Sequence, residues 1–197
     1  MYIIERNNID KAPKLFIDKD PWNYDDYKAE VFVQLVRTDN SVEVKFTVKE
    51  SNPMREKTKN FQLVNQDSCV EFFANFDPEN SDRYINFEMN ANGVMNAAFR
   101  KDRYESDGDL KEEEIPMLNI RTNIYEDYWT AEFSIGFDFI KRYFPKFNAG
   151  KGTQIKGDFF KCGDLTECEH YLTHFDVKAP APDFHRPECF GDLYIAE

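Results

Sequence analysis

Several features that define other protein classes are scarce or missing in this chain. Only four of its 197 residues are cysteines, too few for a disulfide-based scaffold. No stretch approaches the roughly 20 apolar residues of a membrane-spanning helix. The first residues, Met1–Arg6, lack the apolar segment of a signal peptide. We therefore expect reduced thiols and no membrane contact, features that favour a cytoplasmic location.

Basic residues are outnumbered, and the common catalytic motifs are missing. Lys and Arg total 25 against 37 Asp and Glu, giving a formal charge of −12. This balance argues against nucleic acid and anionic membranes as partners. It is compatible with a neutral ligand or with bound cations. The sequence contains neither a Gly-x-Ser-x-Gly elbow nor a glycine-rich phosphate loop. Acidic residues are too abundant for a pair of catalytic carboxylates to be picked out by counting.

The chain is rich in aromatic rings and in short segments that alternate apolar with polar residues. Phe and Tyr number 19 and 10. Such alternation is typical of half-buried strands. Strands are predicted at Val31–Val36, Val42–Val48, Cys69–Ala74, Trp129–Ile135, Thr153–Cys162, His170–Val177 and Phe190–Ala196, with one helix at Phe137–Tyr143. We expect an all-β fold, an antiparallel β-sandwich of jelly-roll or immunoglobulin-like type, formed by a single domain over residues 1–197.

A β-hairpin at Tyr84–Arg100 has a strongly specified register. Its loop, Ala91-Asn92-Gly93, places glycine where a left-handed residue is wanted. This pairs Glu88 with Asn96 and Tyr84 with Arg100, and it puts Asn86, Glu88 and Asn90 on one face. A polar row of this kind could bind sugar hydroxyls, although the same pattern suits the solvent face of an ordinary strand.

Aromatic and imidazole side chains offer the other half of a sugar site. Trp22 lies in a turn-rich stretch and could either stack on a sugar or plug one end of the sandwich. Phe160 falls on the polar face of its strand and is a candidate platform, whereas Trp129 is expected in the core. Histidines at positions 170, 174 and 185 do not have a convincing zinc spacing, and Cys162 and Cys168 match no common zinc motif either.

Calcium is the better inorganic candidate. Asp102, Asp107 and Asp109, with Glu112 close by, crowd the charged segment Lys101–Glu114, which we expect to be a mobile loop. Oxygen-rich loops suit this ion, but the spacing does not match an EF-hand, and a solvated acidic loop would look the same.

Ordered blocks along the chain resemble the family 9 carbohydrate-binding modules and their stand-alone relatives. Three prolines, Pro180, Pro182 and Pro187, stiffen the chain around Phe184, His185 and Arg186 of the C-terminal block. The blocks are Asp67–Phe73, Tyr84–Asn90 with Gly93, Tyr128–Ile135, Phe160–Asp164 and Phe184–Gly191. The resemblance implies a DOMON-like β-sandwich that binds an oligosaccharide or polysaccharide, of plant or host origin, without cleaving it. It also implies structural calcium.

The chain departs from the family at the aromatic clamp. Similar modules grip sugar chain ends between two tryptophans, but Trp129 matches the family's core position. His174 stands near a position where related sequences carry tryptophan. The row formed by Asn86, Glu88 and Asn90 does match the polar strand of the family. The resemblance therefore favours a sugar site formed by Trp22, Glu71, Asn86, Glu88, Asn90, Phe160, His174, His185 and Arg186. Two alternatives stay open: a glycoside hydrolase, and a haem or redox DOMON-like domain with His and Met as axial ligands.

Overall fold

Short strands dominate the chain, as the alternating segments predict. The computed structural model describes residues 2–24 and 26–196. The strands are β1 Tyr2–Ile4, β2 Leu15–Phe16, β3 Val31–Arg37, β4 Ser41–Val48, β5 Cys69–Asn75, β6 Tyr84–Asn90, β7 Met95–Arg100, β8 Ser106–Asp109, β9 Arg121–Ile124, β10 Trp129–Gly136, β11 Gln154–Cys162, β12 Tyr171–Thr173 and β13 Gly191–Ile195. Helix α1 is Phe137–Tyr143, and short 3-10 helices cover Ile9–Lys11, Val64–Gln66, Glu112–Leu118 and Pro187–Cys189. In the part of the chain that is described, no helix has the length and apolar character needed to cross a membrane.

The strands form two sheets. The larger sheet has eight strands in the order β1-β13-β11-β5-β6-β7-β8, with β12 also paired to β11, and the smaller has the order β2-β3-β4-β10-β9. Neighbouring strands are antiparallel, except for β1 and β13, which are parallel. The predicted all-β sandwich is thus confirmed, as are the exact bounds of α1.

The main core lies between the two sheets and is packed with rings. Phe87 of the larger sheet approaches Phe133 of the smaller one, with 5.5 Å between ring centroids. Phe72 stacks on Phe159 at 4.7 Å. Trp129 is fully buried, as predicted, and its indole N–H donates to Glu50 at 3.1 Å. Each such ring contributes roughly 1.5–3 kcal/mol through burial of apolar surface.

A second core covers the outer face of the larger sheet, and the sequence pattern did not predict it. It contains Phe73, Tyr84 and Phe160 from the strands, together with Phe184 and Phe190 from the C-terminal segment. Every residue of β5 and β6 is consequently buried. The row of Asn86, Glu88 and Asn90 is therefore not the open, flat platform that we expected. Chain segments without regular structure lie over it.

Two other segments differ from expectation. The strand predicted at His170–Val177 is limited to β12, Tyr171–Thr173. The segment Lys101–Glu114 is not simply a loop, because β8 adds to the edge of the larger sheet. The turn before β8 is held by Asp102, which accepts the backbone N–H groups of Tyr104 and Glu105 at 2.7 and 2.8 Å.

Asp158, on β11, makes the stability of the fold depend on pH. Its Oδ1 accepts the backbone N–H groups of Phe159 and Phe175, while Oδ2 is buried without a hydrogen-bond partner. Burial raises the pKa of Asp158 to about 8. The folded chain therefore holds a proton that the unfolded chain releases above about pH 4. Stability from this group is present at low pH and is lost as the pH rises towards 8.

We expect Asp158→Asn to remove this loss, because an amide keeps the two backbone hydrogen bonds and carries no charge. Relative to the unchanged protein, the variant should gain stability steadily between pH 4 and pH 8. Urea unfolding followed at several pH values measures the difference. A difference that stays constant with pH would show that Asp158 is ionised in the folded state.

Candidate functional site

A cleft of about 430 Å³ opens on the outer face of the larger sheet, beside the second core. Its floor is a row of polar side chains that crosses three strands. The register places Glu88 of β6 opposite both Asn96 of β7 and Glu71 of β5. Directly opposed residues point to the same side of a sheet. All three side chains therefore face the cleft, and they line it.

Glu88 is held at the floor by two amides. Its Oε1 accepts from Asn86 Nδ2 at 2.8 Å, and its Oε2 accepts from Asn96 Nδ2 at 2.9 Å. The side chain is 6% exposed, so it reaches the cleft without being free to move. Burial raises the pKa of Glu88, although both amides and the nearby Arg100 oppose that rise. Each carboxylate oxygen still has a lone pair for a ligand hydroxyl.

Glu71 lies next to Glu88 and belongs to a dense acidic and thiol group. The Cys162 thiol donates to Glu71 Oε1 at 3.1 Å. Burial raises the pKa of Glu71 well above its usual range, and Cys162 and Glu88 add to the rise. Burial likewise raises the pKa of Asp164, which follows β11 and accepts from Asn65 Nδ2 at 2.7 Å. The pKa values of Glu71, Glu88 and Asp164 are thus all raised, which favours the protonated form of each carboxyl.

One wall of the cleft is the C-terminal segment that the prolines lead into. Phe184 stacks on Phe160 at 4.3 Å with ring planes 11° apart. His185 follows it, and its Nδ1 lies 2.8 Å from the Tyr84 hydroxyl. Burial lowers the pKa of His185 to about 3, so the ring is neutral at ordinary pH. With the hydroxyl donating to Nδ1, the ring proton is left on Nε2.

The rim combines cationic and apolar side chains. Arg100 and Arg103 line the cleft, and Arg103 forms an ion pair with Asp183 at 3.1 Å. The Arg100 Nε is buried and has no hydrogen-bond partner. Tyr171 and Leu63 also line the cleft, and Leu63 is 58% exposed. The lining of the cleft therefore combines donors, acceptors and apolar surface.

Of the predicted site residues, the structure brings Glu71, Glu88 and His185 together in the cleft. Asn86 lies beneath them, fully buried, and positions Glu88. Asn90 lies apart, because its amide donates to Asp67 and to the Lys57 carbonyl. The three polar residues of β6 therefore have different roles. Glu88 lines the cleft, Asn86 positions Glu88, and Asn90 holds the loop around Lys57.

The predicted ring platforms do not line the cleft. Phe160 is completely buried beneath Phe184. Trp22 packs behind the wall, against Phe184 and Tyr171, and donates to the Ala179 carbonyl. In this position it supports the residues of the wall. His174 contacts the Phe16 carbonyl through Nδ1, away from the cleft. Arg186 pairs with Glu188 at 2.8 Å instead of closing the pocket.

The acidic loop does not gather ligands for calcium. Asp102 accepts backbone N–H groups, and Asp107 pairs with Arg83 at 2.9 Å. Asp109 is exposed on β8. Among residues 2–24 and 26–196, none of the three carboxylates belongs to a group of three or more Asp, Glu, His or Cys side chains whose ligating atoms converge. The calcium prediction thus has no support in the geometry of this loop.

Several cleft residues were not singled out from the sequence. Asn96 and Arg100 had a signal, because the hairpin register already placed them beside Glu88 and Tyr84. Asp164 lies in the block Phe160–Asp164 that resembles the family 9 modules, two residues after the end of β11. The others, Leu63, Asn65, Arg103, Tyr171 and Asp183, come from loops or from the short strand β12, where no local periodicity marks them.

The sequence and the fold both match known proteins. The model of carbohydrate-binding family 9 matches residues 3–195. A proposed carbohydrate-binding protein from Bacteroides uniformis is 22% identical, with a TM-score of 0.83 over 98% of this chain and 99% of that one. A family 9 module from Caldicellulosiruptor kristjanssonii, solved with cellotriose, is 13% identical, with a TM-score of 0.70 over 99% and 93% of the two chains. The structure of a module from the same organism with glucose is also 13% identical, with a TM-score of 0.69 over 98% of this chain and 94% of that one. No curated protein matches the sequence.

Proposed function

Because the chain belongs to carbohydrate-binding family 9 and is therefore a carbohydrate-binding protein, we propose that it holds a neutral oligosaccharide in the cleft between β7 and the C-terminal segment. The observation that carries this placement is the fixed carboxylate of Glu88. It is clamped between Asn86 and Asn96 at the floor of a cleft that has ring faces on one wall. Acceptors held in this way pair well with vicinal hydroxyls.

Roles for the remaining cleft residues follow from their chemistry. Arg100 and the His185 ring nitrogen would donate to sugar oxygens, while Glu71 and Asp164 would donate or accept according to their protonation. The Tyr171 ring and the exposed Leu63 would cover the apolar C–H face of a pyranose, taking the place of a tryptophan clamp. A volume of about 430 Å³ lies within the range of roughly 300–1,000 Å³ typical of small-molecule sites. The cellotriose and glucose complexes of the related module support glucose-type sugars as first candidates.

We expect Glu88→Ala to weaken saccharide binding by about 1–3 kcal/mol, or roughly five- to 150-fold, because hydroxyls in a dry site would lose a fixed hydrogen-bond partner. Isothermal titration with glucose and cello-oligosaccharides measures the change. Glu132→Ala is the matched control, since that carboxylate lies on β10 of the smaller sheet. Equal affinities for Glu88→Ala and the unchanged protein would remove Glu88, and with it the cleft, from the proposal.

We further propose that the protein binds its saccharide without cleaving it. The match of the model of a carbohydrate-binding family to residues 3–195 supports this proposal. Chromogenic glycosides should show no turnover above background. Turnover that disappears in Glu71→Gln or Glu88→Gln would overturn this point.

A further inference from the structure

Two cysteines that are far apart in the sequence meet under the cleft. Cys69 of β5 and Cys162 of β11 are directly opposed in the register of the larger sheet. Both are free thiols and both are buried. Glu71, two residues along β5 from Cys69, points to the same side, and its Oε1 lies 3.9 Å from Cys69 Sγ and 3.1 Å from Cys162 Sγ.

The three donor atoms have the spacing of a tetrahedral metal site. All of them lie within 4.8 Å of one another, and in residues 2–24 and 26–196 this is the one group of acidic, His or Cys side chains that converges so closely. Zinc bonds of about 2.3 Å to sulfur and about 2.0–2.2 Å to oxygen put neighbouring ligands of a tetrahedron roughly 3.5–3.8 Å apart. The observed 3.1 and 3.9 Å lie on either side of that separation, so small side-chain shifts would complete the site.

The site would have an open side. Glu71 and Cys162 line the cleft, whereas Cys69 is completely buried behind them. Three protein ligands with a fourth position open to a cavity are typical of zinc sites that bind water or another small ligand. Glu88 and Asp164 line the same cleft and add negative charge near a bound cation. The buried Lys161 ammonium opposes it, but Lys161 points to the other face of β11, where it contacts His170.

We propose that Cys69, Cys162 and Glu71 form a binding site for a soft divalent cation of the zinc class, with its fourth coordination position facing the cleft. Two thiolates favour such an ion over calcium or magnesium, which prefer oxygen ligands. Binding replaces the protons that the two thiols and the carboxyl otherwise carry. The inference goes beyond saccharide binding and does not depend on it, because the three ligands are defined without reference to the sugar.

Cobalt(II) tests the site directly, since it substitutes for zinc and is coloured. Chelator-treated, reduced protein should bind one equivalent of Co²⁺ under argon, with thiolate-to-metal charge transfer and the strong visible bands of a tetrahedral ion. Excess Zn²⁺ should bleach both. Cys69→Ser and Cys162→Ser should each lose the charge-transfer band or reduce it by at least half. Glu71→Gln, the variant least disturbing to the fold, should weaken Co²⁺ binding at least tenfold.

Cys189→Ser is the matched control, because Cys189 lies in the 3-10 helix before β13 and outside the group, and it should bind Co²⁺ like the unchanged protein. The proposal is overturned if reduced protein gives no charge-transfer band, or if the band survives in both Cys69→Ser and Cys162→Ser. It is also overturned if, in a parallel sample exposed to air, a thiol count and mass spectrometry show that dioxygen oxidises Cys69 and Cys162 to a disulfide as readily with Zn²⁺ as without it. The experiment does not measure saccharide binding. A negative result for the metal site therefore leaves the proposed function intact.

Discussion

Phe160→Ala is expected to lower the free energy of unfolding by about 3–5 kcal/mol and to weaken saccharide binding at least tenfold in the protein that stays folded. The ring is completely buried and supports Phe184 from below, with 4.3 Å between the centroids. Truncating a buried Phe costs its burial energy plus that of the cavity left behind. Phe184 immediately precedes His185 in the wall of the cleft, so loss of the support should disorder the wall as well. Urea unfolding and calorimetric titration with cello-oligosaccharides measure the two effects.

Phe72→Ala is the matched control for this double effect. Phe72 is equally buried, but it faces the main core on the opposite side of the larger sheet. Its truncation should cost similar stability and leave saccharide affinity unchanged once the folded fraction is taken into account. Phe16→Ala, at a ring that is 42% exposed, should do little to either quantity. Saccharide affinity in Phe160→Ala equal to that of Phe72→Ala would show that the second core does not hold the site together.

His170→Ala should also cost about 3–5 kcal/mol, through a buried charge that loses its partner. Lys161 is fully buried, and its Nζ lies 2.6 Å from His170 Nε2 and 2.9 Å from the Cys162 carbonyl. His170 Nδ1 contacts the Cys168 carbonyl, so Nε2 is the acceptor for the ammonium. Tyr27 stacks on the imidazole at 3.6 Å and would lose that contact too. Burial lowers the pKa of His170 to about 3, which keeps the acceptor nitrogen unprotonated.

A double-mutant cycle separates the charge from the packing. Lys161→Met removes the ammonium and keeps a long apolar side chain, which is often tolerated at buried ion sites. If the charge is the main cost, His170→Ala should be much less harmful in a Lys161→Met background. Urea unfolding of the two single variants and the double variant gives the coupling energy. Simple additivity would instead assign the cost of His170→Ala to the lost stacking on Tyr27 and to the cavity.

The architecture could be predicted from the sequence because it depends on local periodicity. Alternation in Val42–Val48 and Trp129–Ile135 identified the central strands of the smaller sheet, which pair directly. The Ala91-Asn92-Gly93 loop fixed the hairpin register, and Glu88 does face Asn96. Gly93 has a φ of 77°, the left-handed conformation that this position needed. Short edge strands such as β2 and β9 were missed because they are too brief to show a period.

The burial of the polar face could not be predicted in the same way. Alternation with Asn86, Glu88 and Asn90 on one side is typical of a strand with one face in water. Whether loops cover that face depends on contacts between segments far apart in the chain, which periodicity does not record. The same reason explains why Cys69 and Cys162 were not connected. The two cysteines are opposed because β5 and β11 are adjacent strands of the larger sheet. The spacing of the cysteines along the chain does not indicate which strands are adjacent.

The predicted residues that line the cleft are those for which chemistry and strand geometry coincided. Glu71 and Glu88 lie on the same face of neighbouring strands, as the alternation of apolar and polar residues predicts, and both line the cleft. His185, which follows the proline-containing segment, lines the cleft too. Trp22, Phe160 and His174 were chosen for ring type alone, and ring type does not distinguish a platform from a packing residue. Phe160 is fully buried, and Trp22 contacts the wall from behind.

The order of the strands also has a consequence for biosynthesis. Strand β13 inserts between β1 and β11, and the wall residues Phe184 and His185 precede it by only a few positions. Of the residues described, these leave the ribosome last, whereas the floor of the cleft is made much earlier. A chain that stops just before β13 therefore carries Glu71, Glu88 and the wall residues, but it lacks the strand that ties the wall segment to the sheet. If the cleft holds the saccharide as proposed, retention on a saccharide column would thus select chains in which β13 has paired with β1 and β11.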